Sequence, residues 1–500
     1  MKGLSGPIIL CLLMLPAQLL PAGHYGIFGD EMYFIACSKR LAFGFVDHPP
    51  LVDVLVFFTR LLFGDAIVAL RFMTALTGSA TVLLSALIAR DMGGGRFAQG
   101  LAALMIFVAP ALLGMFNIVS VNAFDVFFCT LCAWLFVRVL NGASGRTWLL
   151  LGLAAGLGLQ NKYTMAALCL SFFIGMLATP QRRCLASPWP WLGGIVALLI
   201  FLPNLLWQGL HGWPFLNYLR YQASTTYPLS TPQFLGEMAV VLNPVSLPVW
   251  MAGLYFLLFG KDSSRYRSLG IGLVVFLALC LARQPRYYYL LPVFPALMAA
   301  GAVATEQLIR RAAIRGFGPA VVSTMVIGMA VTMPTALPIL PIEQFIPYWR
   351  VLRFTKHVHT FKNERADIPE HFSLRFGWQE LAEAVARIYH GLPDTERSRC
   401  AILARGLYAA AAVDFFGPQF GLPNAISTAA NYRLWGPRHY TGECVIAVGH
   451  GKGELEKLFG AVEQVAAFNH PHTVARYRDY PIYICRMPVR PFAEMWDNMR

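Results

Sequence analysis

Over roughly the first two-thirds of the chain, apolar runs alternate with short polar breaks. Residues 148–159 contain only Leu, Gly, Ala, Trp, and 195–202 contain no polar side chain at all. About 20 apolar residues span a bilayer. The pattern predicts spans near 4–22, 66–89, 97–115, 122–140, 147–160, 163–179, 190–206, 237–259, 268–282, 288–305 and 317–335. The first, beginning after a single Lys, reads as an uncleaved span, with a cleaved signal peptide as the alternative. Either way the chain emerges on the outer side from about residue 25.

Between the first two spans the spacing changes. Met32, Ile35, Ala36 and Phe43 recur at helical intervals over 30–43, and Gly44 can end that helix. Pro49 and Pro50 open a second helix over 51–63, since proline suits a helix's first turn. Both are expected to lie as amphipathic helices on the outer membrane surface.

Beyond about residue 335 the character shifts again. The tail holds 16 of the 26 acidic residues. In it, short apolar runs alternate with helical stretches: Cys400–Ala404, 408–416, Cys444–Val448, 454–468 and 480–485. This is the pattern of a small α/β domain, long enough for its own core. The expected domains are therefore a membrane domain over 1–335 and an extracytoplasmic α/β domain over 336–500.

Loop charge orients the spans. Arg90 and Arg96, Arg138 and Arg146, Arg182 and Arg183, Lys261 with Arg265 and Arg267, and Arg310 with Arg311 and Arg315 fall in alternate loops. Eleven spans put all five clusters on one face, which positive-inside makes cytoplasmic. Lys39, Arg40 and Arg60 dissent. This distribution accounts for the net charge of +14 without nucleic acid, which is not expected as a partner. The lipid bilayer is. Charged residues make up only 13% of the chain, against roughly 25% in soluble domains.

Of ten cysteines, Cys11, Cys129, Cys132, Cys169 and Cys280 lie in apolar stretches and read as small core residues. Cys400, Cys444 and Cys485 lie in the tail. One disulfide could form among them in an oxidising compartment, and the sequence does not choose the pair.

Charges inside a membrane domain are expensive, so those that persist draw attention. The first 335 residues hold ten carboxylates, five of them between Asp30 and Asp65. Asp30 and Glu31 open the first surface helix, where an acidic N-cap is the plain alternative. Asp47 and His48 precede the second; capping and interfacial polarity are the plain readings, and phosphate binding by His48 the functional one. Asp125 stands at the outer end of a span, where Asn122 makes the better cap. Lys162, in an outer turn, could snorkel. Arg283, Arg286 and Tyr287–Tyr289 could form an aromatic belt, although two arginines on the outer face fit a phosphate better. Trp207, His211 and Trp213 read as interfacial anchors, with a lid or sugar-stacking role as the alternative.

With these residues placed, the chain resembles the membrane glycosyltransferases that use polyprenyl-phosphate sugars, the protein O-mannosyltransferases and lipid A aminoarabinose transferases of the GT-C fold. The resemblance covers about 20–305. It is carried in order by Gly29-Asp30-Glu31, His48-Pro49-Pro50-Leu51, Asp125, Gly158-Leu159-Gln160-Asn161-Lys162-Tyr163, Pro203-Asn204 with Trp207 and His211-Gly212-Trp213, and Arg286-Tyr287-Tyr288-Tyr289-Leu290-Leu291-Pro292. It implies a GT-C membrane domain of about eleven spans plus the α/β domain, in a bacterial inner membrane with site and tail on the periplasmic side. It also implies a sugar donor linked to a polyprenyl phosphate, an extracytoplasmic acceptor (glycolipid, polysaccharide or protein) and inversion at the anomeric carbon.

By this resemblance Asp30 is the general base or orients the acceptor. Glu31 and Asp125 position hydroxyls, and Asp47 lines the substrate site. Lys162, Arg286 and His48 bind the lipid phosphate, beside Tyr287 and Tyr288. His48 departs from the aminoarabinose transferases, which carry Lys there, and agrees with the mannosyltransferases. No cofactor is required; a hard cation held by Asp30, Glu31, Asp47 and His48 is the alternative left open. Two other functions stay open: an oligosaccharide ligase or oligosaccharyltransferase using a diphosphate lipid, and a lipid-sugar transporter or flippase.

Overall fold

The computed structural model describes residues 4–225, 231–260, 263–282, 286–312, 316–352 and 368–499. Lys261, Arg283, Arg315 and the side chain of Tyr287 lie outside the described ones. The chain divides into two compact units that interleave in sequence. One comprises Met1–His24, His48–Trp213 and Thr226–His357; the other comprises Tyr25–Asp47, Pro214–Thr225 and Val358–Arg500.

The first unit is helical, and the chain is a multi-pass membrane protein. Six helices are individually long and apolar enough to cross a membrane: Ile67–Asp91, Val121–Leu140, Pro188–Leu210, Ser264–Ala282, Leu291–Ala312 and Phe317–Ala336. Three bent pairs raise this to as many as nine, and Ser5–Leu19 and Arg146–Leu159 are shorter apolar helices. The expected straight span over 237–259 is not straight. Leu235–Val241 and Pro244–Phe259 meet at 108°. The bend falls at Asn243, whose φ of 72° and side-chain hydrogen bond to Val245 N start a new turn, and Pro244 cannot donate back to the preceding helix.

Small residues set the closest packing in this unit. A Cβ on Gly152 would sit 2.1 Å from the Gly193 carbonyl oxygen, so the helices Arg146–Leu159 and Pro188–Leu210 touch backbone to backbone. That close fit requires the glycine-rich run that looked merely apolar in sequence.

The helix Leu51–Phe63 is amphipathic as expected, burying Val52, Asp53, Val56 and Thr59 while Phe58, Leu61, Leu62 and Phe63 are exposed. The other predicted surface helix differs. It runs Gly29–Ser38, ending five residues earlier, and every residue except Asp30 is buried. Met32, Tyr33, Phe34, Ile35, Ala36 and Cys37 make it apolar all round, and such a helix is buried rather than laid on a surface. Its partner within the second unit is the helix Leu407–Phe416.

The second unit is built on a four-stranded sheet: β1 Cys400–Ala404, β2 Cys444–Val448, β3 Phe459–Phe468 and β4 Tyr480–Pro488, in the order β1-β2-β4-β3. β1 and β2 are parallel, and the other pairs are antiparallel. The parallel pair needs a crossover, which contains Leu407–Phe416. Ala401, Leu403, Val445, Ala447 and Cys485 form a core with Leu455, Phe492 and Trp496. The stretch 454–468 proves to be a short helix, Lys452–Leu455, followed by the edge strand β3. Cross-strand pairing with β4, bulged between Gln464 and Ala466, overrides the helical reading.

Candidate functional site

The first unit gathers Asp125, Lys162, Tyr288 and Arg286. The helix Val121–Leu140 begins at Ser120, whose hydroxyl accepts from Ala123 N at 3.4 Å. Ser120, rather than Asn122, is thus the cap. Asn122 and Asp125 are left to face the turn that follows the helix Arg146–Leu159. There Asn161 donates to the Val121 carbonyl at 2.8 Å and fixes the turn against the start of the other helix.

Lys162 does not snorkel. Its Nζ donates to Asn122 Oδ1 at 2.7 Å and lies 3.3 Å from Asp125 Oδ2. The Tyr289 ring centroid is 4.2 Å from the ammonium and that of Tyr288 5.6 Å. Asp125 is 1% exposed, and Oδ2 also accepts from the Thr164 hydroxyl at 2.7 Å. Burying a carboxylate without a partner costs several kcal/mol, and Lys162 supplies the partner. Arg286 donates to the Tyr288 hydroxyl at 3.0 Å. Lys162, Arg286 and the buried carboxylate of Asp125 therefore lie in one cluster around Tyr288. Tyr163 donates to Asn204 Oδ1 at 2.9 Å and accepts from Gln208 at 3.1 Å. This ties the turn to the helix Pro188–Leu210 and gives the Asn204 of the Pro203-Asn204 motif a packing role.

His48 is also in this unit. Its Nε2 lies 2.8 Å from Asp53 Oδ2, and both side chains are buried. A carboxylate on one ring nitrogen fixes the orientation of the imidazole. The Leu51 amide donates to the Gln160 carbonyl at 2.9 Å, so the segment after His48 is pinned to the Lys162 turn. Trp207 stacks on His211 at 4.1 Å, and the ring of His211 is hydrogen-bonded to the Trp207 carbonyl.

The second unit holds the other acidic positions. Glu31 is a cap: Oε2 accepts from Phe28 N at 2.8 Å, and the side chain is buried. Of the adjacent pair, Asp30 alone keeps partial exposure, and its Oδ1 accepts from the Tyr408 hydroxyl at 2.6 Å. Gly29 makes that approach possible. A Cβ there would stand 3.0 Å from the Tyr408 ring. Asp47 accepts from Tyr33 at 2.8 Å and from Asn431 Nδ2 at 3.4 Å, while Asn431 Oδ1 accepts from Val46 N at 2.9 Å. Burial first, then the Asp47 and Asp30 carboxylates, push the Tyr33 and Tyr408 hydroxyls well above their ordinary range. Both stay protonated donors.

The sequence reading missed Asn122, Thr164 and Tyr289 around Lys162, Asp53 beside His48, and Tyr408 and Asn431. Asp53 carried a signal: five residues past His48 and in the first turn after Pro50, it can fold back on the imidazole. Tyr408 and Asn431 carried none, lying nearly four hundred residues from their partners.

Residues 47–207 match the family model described as dolichyl-phosphate-mannose-protein mannosyltransferase. The chain is 25% identical over 237 residues to the lipopolysaccharide core galacturonosyltransferase RgtB of Rhizobium johnstonii, a match covering 47% of this chain and 48% of RgtB. It is 40% identical over 73 residues to RgtA of the same organism, covering 14% and 15%. The chain thus spans about half the length of RgtB and less of RgtA. In fold it is similar to ArnT from Cupriavidus metallidurans in the apo state, with a TM-score of 0.58 at 15% identity over 95% of this chain and 97% of that one. The same protein bound to undecaprenyl phosphate gives 0.55 at 15% identity, covering 96% of each chain. The oligosaccharyltransferase AglB from Archaeoglobus fulgidus, in complex with an inhibitory peptide and a dolichol-phosphate, gives 0.52 at 12% identity, over 89% of this chain and 69% of that one. In its matched segment the chain is similar to a mannosyltransferase family, and its fold is similar to that of ArnT, a fold of the GT-C type.

Proposed function

We propose that the chain is an inverting glycosyltransferase that moves a sugar from a polyprenyl phosphate to an extracytoplasmic acceptor in the bacterial envelope. The observation that carries this reading is the Lys162 cluster. A lysine and an arginine are held around Tyr288 inside a membrane unit, the lysine beside a buried carboxylate. Charged side chains kept in an apolar unit mark a functional site, and a lipid phosphate brings an anion to such cations together with an apolar tail.

In the proposed reaction an acceptor oxygen attacks the anomeric carbon, the bond from that carbon to the phosphate oxygen breaks, and the lipid phosphate leaves with the electron pair. Lys162 and Arg286 bind that phosphate and stabilise the charge that grows on it. Asn122, Asp125 and Tyr289 hold the Lys162 ammonium in place. His48, oriented by Asp53, donates to the same anion. Asp30, aligned by Tyr408, takes the acceptor proton or orients an acceptor already ionised. Glu31 and Asp47 shape the segments around Asp30 through their backbone and side-chain hydrogen bonds. No step requires a metal.

The test pairs a cell with a tube. Mass spectrometry of envelope glycolipids and glycoproteins, with and without the gene, names the added sugar and its acceptor. Purified protein is then given that sugar on a polyprenyl phosphate or on a polyprenyl diphosphate. Transfer from the monophosphate with inversion is expected. Transfer from the diphosphate alone would instead support the oligosaccharide-ligase reading, and uptake without transfer would support a transporter.

A further inference from the structure

We infer that Cys400 and Cys444 form a disulfide that ties β1 to β2. Strand register selects this pair from the three tail cysteines. Cys400 is directly opposite Cys444 on neighbouring parallel strands. Neighbouring strands lie about 4.8 Å apart, within the roughly 4.4–6.8 Å Cα separation that a disulfide spans. Cys485 is opposite Val445, one residue out of phase with Cys444, and successive side chains of a strand point to opposite faces. It is packed into the core with Val445, Ala447 and Trp496, on the other side of the sheet.

The two Sγ atoms of Cys400 and Cys444 are 2.8 Å apart, and both residues are almost completely buried, at 1% and 2% exposure. Closing that separation to the roughly 2.05 Å of an S–S bond needs only a small side-chain rotation. Cys400 opens β1, whose one strand partner among the described residues is β2, an isolated bridge to Ile426 lying on its other side further along. A covalent tie at the first residue of that ladder stops it from fraying. The Cys400 thiol beside it holds the Cys444 thiol below its ordinary value.

The step balances with an oxidised thiol oxidoreductase of the compartment as electron acceptor. One of the two thiolates attacks the oxidoreductase disulfide. The other then attacks the resulting mixed disulfide at the first protein sulfur. The two thiol protons and the two electrons end on the oxidoreductase, now a reduced dithiol. Because both sulfurs are buried in the folded sheet, this exchange belongs to folding, before the strands close.

The test uses full-length protein in its native membrane. Cells are quenched in acid, free thiols are alkylated, and the protein is digested without reductant for mass spectrometry. The expected result is a Cys400 peptide linked to a Cys444 peptide, with Cys485 alkylated. Alkylation of both Cys400 and Cys444, or a link to Cys485, overturns the inference. In the purified chain, reductant should lower the thermal midpoint of the wild type and leave that of the C400A/C444A variant unmoved. An equal drop in both overturns it too. Neither readout depends on glycosyl transfer, so the bond can fail while the proposed activity stands, and the reverse.

Discussion

The Tyr408 hydroxyl donates to the Asp30 carboxylate at 2.6 Å across 378 residues of sequence. The helix that carries Asp30 and the helix that carries Tyr408 pack together within one unit, and Gly29 opens the room for the ring. A hydrogen bond to a charged group is worth about 1.5–3 kcal/mol. If Asp30 handles the acceptor, Tyr408→Phe leaves a folded protein whose kcat falls roughly ten- to a hundredfold, since about 1.4 kcal/mol is tenfold in rate. Asp30→Asn removes the base itself and should cost about 10²–10⁴-fold. Wild-type turnover in Asp30→Asn would remove that residue from the chemistry and Tyr408 with it. Steady-state kinetics with the donor saturating separates kcat from KM.

Lys162 has two duties that can be pulled apart. It neutralises buried Asp125, and it is proposed to bind the lipid phosphate. Lys162→Met strands a buried carboxylate, which typically costs about 3–5 kcal/mol. The added change Asp125→Leu removes that penalty. The double variant should therefore regain most of the lost thermal stability and still use the polyprenyl-phosphate donor at least tenfold less well than wild type. Recovery of both properties would reduce Lys162 to a structural ion pair.

Much of this was legible beforehand. The apolar runs became helices, because in a bilayer a spanning segment satisfies its own backbone. The order of short motifs also marked the residues that cluster around Lys162. Three features were not legible. The fate of Gly29–Ser38 depended on a partner helix nearly four hundred residues away, so its all-round apolarity was the only local sign of burial. β3 read as helix because its decisive interactions are hydrogen bonds to β4. Asp125 looked like a lone intramembrane charge because its counter-ion lies two helices on. Each failure has the same origin: pairing across distance leaves no mark in local spacing.

The proposed chemistry runs on protein cations, so a chelator should leave it intact. Activity of protein purified through excess EDTA is expected to equal that of untreated protein, with no gain on adding Mg²⁺ or Mn²⁺. Loss on chelation with recovery on adding either ion would replace the Lys162 and Arg286 scheme with a metal-assisted departure of the phosphate, and would favour a diphosphate-lipid donor.

Acid should loosen the sheet of the second unit through His450, which follows β2. The residue is half-buried, but its Nε2 is buried with no hydrogen-bond partner among the described residues. Burial, and secondarily the Arg405 guanidinium, lower its pKa from 6.5 to about 4, against a smaller upward pull from Glu454. Arg405 and Glu454 are themselves 3.6 Å apart. The folded protein thus keeps this imidazole neutral, whereas the unfolded chain protonates it near pH 6.5. Between those two values the unfolded state binds more protons, so stability rises with pH across the window. The contribution is complete above about pH 6.5 and disappears as pH falls toward 4. The protection factors of the β2 amides in the full-length protein, that is, the intrinsic exchange rate at each pH over the observed rate, should therefore fall as pH drops over that interval. His450→Gln, which cannot titrate, should flatten this dependence, and the same loss of protection in His450→Gln would assign it to other groups.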